Sequence, residues 1–341
     1  MGPNSPRGMG REVVLGVSIL LALAVAPPAH ATLTITPTFD PSLGTPEQNA
    51  IKAAITDVTN NISSPNNITV AIYFASMNSG LGESNSTVFK ISYFDYYNAF
   101  QAVATSPTQL TALSSLGAPP ANSSSGNPNT GGTSVVITSA EGRNLGLNTP
   151  GLEGVNGHNY DSFIQLNTSI TSPPNGLGGN YSLQAVATHE IDEALGIGGP
   201  GSSIGGTGFF ANTVGDLDLY RFTAPNVYSY STTQTTSPYS YFSIDKGATV
   251  LSYFNQTSGA DYSDWLSNPR PGGFQPQVQD AFATPGASPT LGPSEITALE
   301  AIGYSQEQPS AAPEPASSLL AGLGFAVMGA YGWLRRKRPA A

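Results

Sequence analysis

The residues best suited to chemistry lie together in Ala187-Thr188-His189-Glu190-Ile191-Asp192-Glu193-Ala194-Leu195-Gly196. Read as a helix, Leu183, Ala187, Ile191 and Leu195 fall on one stripe, with His189, Glu190 and Glu193 on roughly the opposite side. His189 and Glu193 stand at i and i+4, so an imidazole and a carboxylate can reach one metal ion. Glu190, one step round the helix, can take a proton from a water activated there. A plainer reading of the same residues is that Glu190, Asp192 and Glu193 form the solvated face of an amphipathic helix, with His189 incidental.

A catalytic metal site needs a third protein ligand. Asp264 and Asp218 are equal candidates and Asp216 follows, though each could be a loop aspartate capping a turn. His158, in Gly157-His158-Asn159-Tyr160-Asp161, is either a further ligand or an exposed turn residue. Composition forces the site towards carboxylates. The 341 residues contain three histidines and no cysteine, so disulfides, thiolate zinc sites and cysteine nucleophiles are excluded. One imidazole and two carboxylates accept Zn2+ but favour harder ions such as Mn2+ or Ca2+. The formal net charge is −10, and six of the twelve basic residues lie near the two ends. An acidic body without a basic stripe makes nucleic acid an unsuitable partner.

The elements that must position these groups can be read from periodicity and caps. The segment from Thr45 to about Ile62 reads as a helix with Thr45 as N-cap, and Ile68–Ala75 as a strand rich in branched residues. Tyr93–Thr105 and Pro107–Leu116 read as helices, and residues 117–134 as a loop. Val135–Thr138 and Ser162–Leu166 read as short strands. Ser182–Leu195 is the strongest helix and precedes a glycine-rich loop. Tyr241–Ile244 and Val250–Phe254 read as strands, and Ser294–Ile302 as a helix capped by Ser294. The expectation is one α+β domain over 32–304, with 305–312 as a linker. The aromatic group Tyr93, Phe94, Tyr96, Tyr97 and Phe100 could stack an extracellular polysaccharide, or pack in the core.

The ends carry a different signal. Arg7 and Arg11, the apolar run Val13–Val25, Pro27-Pro28 and Ala29-His30-Ala31 read as a secretory signal over residues 1–31. Pro313-Glu314-Pro315 introduces the uncharged stretch 316–334, about 28 Å long as a helix, and then Arg335-Arg336-Lys337-Arg338. This end resembles the PEP-CTERM sorting signal of Gram-negative bacteria (residues 313–341). The resemblance implies a single transmembrane helix over 316–334 in the inner membrane and a basic tail, 335–338, in the cytoplasm. It also implies processing by an exosortase-type enzyme and delivery to the cell surface or exterior.

Beyond the helix, Asp216-Leu217-Asp218-Leu219-Tyr220-Arg221-Phe222, Tyr241-Phe242-Ser243-Ile244-Asp245 with Gly247, Asp264-Trp265 and Leu299-Glu300-Ala301-Ile302-Gly303-Tyr304 resemble successive blocks of a bacterial zincin-like metallopeptidase family. That family's helix reads His-Glu-x-x-His, and a His-Trp pair stands where this chain has Asp264-Trp265. The resemblance implies a zincin-like fold with an active-site helix, Glu190 as general base, and His189, Glu193 and an aspartate as metal ligands. Two functions are therefore expected from two classes: a metal-dependent peptidase with an unidentified peptide substrate, or a non-catalytic surface or matrix protein that keeps the fold.

Overall fold

Leu33 and Ile35 turn inward and Thr34 and Thr36 outward, the alternation of a half-buried strand. This strand, Leu33–Phe39, runs parallel to Ile68–Ser76, which runs parallel to Ser162–Leu166. Gly82–Ser86 completes the sheet as an antiparallel edge strand beside Ser162–Leu166. The computed structural model describes residues 32–127, 131–173, 180–199, 201–202, 213–229 and 239–307. The chain divides into Met1–His30 and Ala31–Ala341, and the described residues all belong to the second unit.

Six α-helices accompany the strands among the described residues. Helix α1 (Thr45–Asn61) buries Ala50, Ile51, Ala54 and Val58. Its N-cap is Gly44 rather than Thr45, because Thr45 is already inside the first turn, and no side chain caps it. Helices α2 (Tyr93–Val103) and α3 (Pro107–Ser115) are capped by Ser92 and Ser106. The short α4 (Ser139–Asn144) follows directly from the strand Ser134–Thr138, with Thr138 as its cap. Helix α5 (Leu183–Leu195) packs against α1 and against the strands Ser162–Leu166 and Gly82–Ser86. Helix α6 (Pro293–Ala301) starts from Gly292 rather than Ser294, and the Glu295 carboxylate accepts the Gly292 N–H at 3.2 Å.

Besides three two-stranded pairs, two further sheets are present among the described residues. Val88–Ser92, Ser134–Thr138 and Val214–Gly215 form one; Val227–Tyr228, Arg221–Ala224, Tyr241–Phe242 and Ser252–Tyr253 form the other. The aromatic group on α2 belongs to the core: Tyr93, Tyr96, Tyr97 and Phe100 are buried, so they offer no face to a sugar.

The α+β class holds, but the expected membrane-spanning helix must be corrected. No helix among the described residues is long and apolar enough to cross a membrane. The longest, α1, has 17 residues, about 26 Å against a hydrocarbon core of about 30 Å, and it carries Glu47, Lys52 and Asp57. The stretch 316–334 assigned to the span lies outside the described residues, as do 313–315, the basic tail 335–338 and the secretory segment 1–31.

Candidate metal centre

Helix α5 places the motif. The Ser182 hydroxyl accepts the Ala185 N–H and starts the helix; Gly196, at φ 122°, ends it. A glycine is needed there because L side chains rarely adopt that conformation. Much of the polar side of α5 is withdrawn from solvent, and Glu190 and Glu193 on it meet the edge strand. Asp192 is wholly buried and Glu190 is 5% exposed. The Ser84 hydroxyl donates to Glu193 Oε2 at 2.5 Å, tying the helix to the strand. Gly82 lies directly against Glu190: a Cβ on it would stand 2.2 Å from Glu190 Oε1.

Three ligand atoms converge on one point. His189 Nε2 lies 3.6 Å from Glu193 Oε1 and 3.6 Å from Asp264 Oδ2, and one atom from each of the three side chains lies within 4.8 Å of the others. His189 Nδ1 is 3.0 Å from the Val278 carbonyl oxygen. That carbonyl can only accept, so Nδ1 carries a proton; in the neutral imidazole the Nε2 lone pair then faces the carboxylates, the tautomer a metal requires. These side chains could therefore hold a metal ion.

The loop that supplies Asp264 is held rigidly. Trp265 stacks on Phe242 with centroids 5.6 Å apart and packs on Phe254 at 5.3 Å. Glu295 Oε1 accepts both Trp265 Nε1–H (3.1 Å) and the Gln279 backbone N–H (3.3 Å). The Gln279 side-chain amide donates to Asp264 Oδ1 at 2.9 Å and stands 3.4 Å from His189 Nε2. One buried carboxyl on α6 thus braces both the aspartate's loop and the segment that orients the histidine.

Electrostatics follow from crowding these groups out of water. Burial and the charge of Glu193 push Glu190 well above its ordinary value. Burial likewise pushes Asp264 up to about 8, although His189 pulls it down. Asp261 rises to about 6, through burial and the nearby Glu193 charge. Burial opposes a charged His189, but Asp264, Glu193 and Glu190 outweigh it and raise the imidazole well above its usual range. Glu193 alone moves down, because His189 and Ser84 offset its burial. Without a metal, such a site must hold protons.

The site lies in a cleft of about 770 Å³, lined by Gly82, Glu83 and Ser84 of the edge strand and by Val278 and Phe282. Ile170, Tyr181 and Val186 supply apolar surface.

Of the three candidate aspartates, only Asp264 joins His189 and Glu193. Asp218 is fully buried and committed elsewhere: its carboxylate takes Arg221 Nε–H at 2.6 Å and the Ser202 hydroxyl at 2.7 Å. Asp216 faces Glu141 instead. His158 is exposed, in the hairpin Glu153–Val155 with His158–Tyr160. Sequence reasoning passed over Asp261, Ser84, Gln279, Glu295 and the Val278 carbonyl. The Asp261-x-x-Asp264 spacing was a usable signal for the first; the others act through contacts between distant segments. No family model, curated protein or solved structure matches the chain.

Proposed function

We propose that this chain is a metal-dependent peptidase of the zincin type with a divergent His-Glu-x-x-Glu site. The observation that supports it is the convergence of His189 Nε2, Glu193 Oε1 and Asp264 Oδ2 around one point, with the histidine tautomer set by the Val278 carbonyl. A divalent ion held there, zinc or a harder ion such as manganese, would polarise a scissile carbonyl and stabilise charge on its oxygen. Glu190 takes the proton of the attacking water and delivers it to the departing amine. The strand Gly82–Ser86 has one unpaired edge among the described residues and lines the cleft, so an extended polypeptide can add to it as a further strand. The secretory pattern over residues 1–31 and the resemblance of residues 313–341 to a PEP-CTERM signal support export, with sorting to the cell surface by an exosortase-type enzyme.

One observation favours the non-catalytic reading: the Gln279 amide stands beside Nε2, where it can donate to the lone pair that a metal would take. Elemental analysis of the purified full chain, with casein hydrolysis by wild type and by Glu190→Gln, separates the two. Stoichiometric metal, and hydrolysis abolished by Glu190→Gln with the metal retained, supports the peptidase. A well-folded chain that takes up no divalent ion overturns it.

A further inference from the structure

Away from the cleft, the core holds a second group of ionisable side chains that the peptidase reading does not use. Glu141, on α4, is completely buried, and no donor among the described residues reaches either of its oxygens. Its carboxyl lies within hydrogen-bonding reach of that of Asp216, 6% exposed, and no other group among the described residues donates to Asp216 Oδ2. The Tyr96 hydroxyl, from α2, is fully buried and unpartnered, and it lies within the field of both carboxyls. Asn144 is one turn along α4 from Glu141, and it is buried with both amide atoms unpaired. Buried polar atoms in folded proteins are nearly always satisfied, so two facing carboxyls with no other donor, a phenol within their field and an unpaired carboxamide on the same short helix call for an occupant.

Their surroundings indicate its charge. Among the described residues no basic side chain pairs with Glu141 or Asp216; Arg143, also on α4, is engaged by Asp161 at 2.8 Å. The end of α5 lies close by. A Cβ on Gly196 would stand 3.0 Å from Glu141 Oε2, and the last carbonyls of a helix carry partial negative charge. The acceptors are oxygens throughout: two carboxyls, a phenol and a carboxamide. We propose that Glu141, Asp216, Tyr96 and Asn144 hold a structural divalent cation of the calcium class beneath the C-terminal end of α5. The ion supplies the countercharge these carboxyls lack and anchors the helix that carries His189, Glu190 and Glu193. The Tyr304 hydroxyl, donating to the Leu195 carbonyl at 3.0 Å, fixes the same helix end from the other direction.

The test uses the full chain carrying Glu193→Gln, which removes a cleft ligand and leaves the second group untouched. Chelator-stripped protein is titrated with calcium and followed by melting temperature and by calorimetric stoichiometry. The expected result is one calcium per chain and a rise of about 5 °C at a hundredfold excess over Kd. Adding Asp216→Asn should abolish both. If that variant does not fold, Glu141→Gln, which preserves side-chain volume, carries the same expectation. Absence of calcium binding in the Glu193→Gln chain overturns the proposal, as does binding that neither second substitution weakens. A calcium-indifferent chain that Glu141→Gln stabilises also overturns it, and identifies a shared proton in the ion's place.

Discussion

Gly82→Ala separates the proposed base from the metal ligands. A Cβ at this position would lie 2.2 Å from Glu190 Oε1, 2.9 Å from Glu190 Cδ and 2.9 Å from Val186 Cγ1. Ordinary contact begins at about 3.4 Å, so the carboxylate must retreat by roughly 1 Å. Gly82 is not in the left-handed region, so alanine fits its backbone without strain. A displacement of that size at a catalytic group costs on the order of 10²-fold in rate, about 2.7 kcal/mol of transition-state stabilisation. The crowding against Val186 should cost about 1–2 kcal/mol of stability. The metal ligands are not what the new methyl meets, so metal Kd should stay within about threefold of wild type. The assay is casein hydrolysis on metal-loaded protein, alongside calorimetric metal titration and thermal melting. Activity within about threefold of wild type, in a folded and metal-loaded Gly82→Ala protein, would refute the role given to Glu190. Loss of metal together with activity would instead show that the edge strand sets the ligands as well as the base.

Glu193→His should raise zinc affinity and casein hydrolysis without loss of folding, because the residue lies on the cleft side of α5 and its packing partner there is Ser84; a variant binding zinc no better than wild type would show that 193 does not face a metal. Glu295→Ala should weaken metal binding by about 10–100-fold, since it frees Trp265 and Gln279 and so loosens both Asp264 and His189; Glu295→Gln, whose carbonyl oxygen can still accept, should recover most of that loss in the same titration. The metal-free protein should lose stability as pH rises from about 4 to about 8. Asp264 ionises near 3.8 when unfolded but near 8 when folded, and His189 is raised well above 6.5, so over this range the folded state binds more protons than the unfolded one. Both terms have the same sign, metal should flatten the slope, and melting temperatures recorded across pH with and without a chelator test this.

Much of the scaffold was legible because its signals are local. The 3.6-residue period on α5, its end at Gly196 and the branched run at Ile68–Ser76 need no partner to be recognised. The spacing of His189, Glu190 and Glu193 placed them on one side of a helix, since helix geometry alone dictates which side chains share a face. Boundaries shifted where backbone conformation outweighed side-chain type: Gly44 and Gly292 cap α1 and α6, although Thr45 and Ser294 are the better capping chemistries. The strand Gly82–Ser86 escaped because a Gly-Glu-Ser-Asn-Ser run has neither apolar alternation nor branched residues; only pairing with Ser162–Leu166 makes it a strand. The burial of the motif's polar face was equally invisible, since periodicity reports a helix's two sides but not what covers the second one. Sequence reading could not choose among Asp216, Asp218 and Asp264, since each is an aspartate in a loop. Tertiary structure chose, by giving Asp218 to Arg221, turning Asp216 to Glu141 and bracing Asp264 through Trp265 and Glu295. A ligand on the same helix is set by covalent spacing. A ligand from a distant loop is set by which segments the core can pack together, and that is a property of the whole fold.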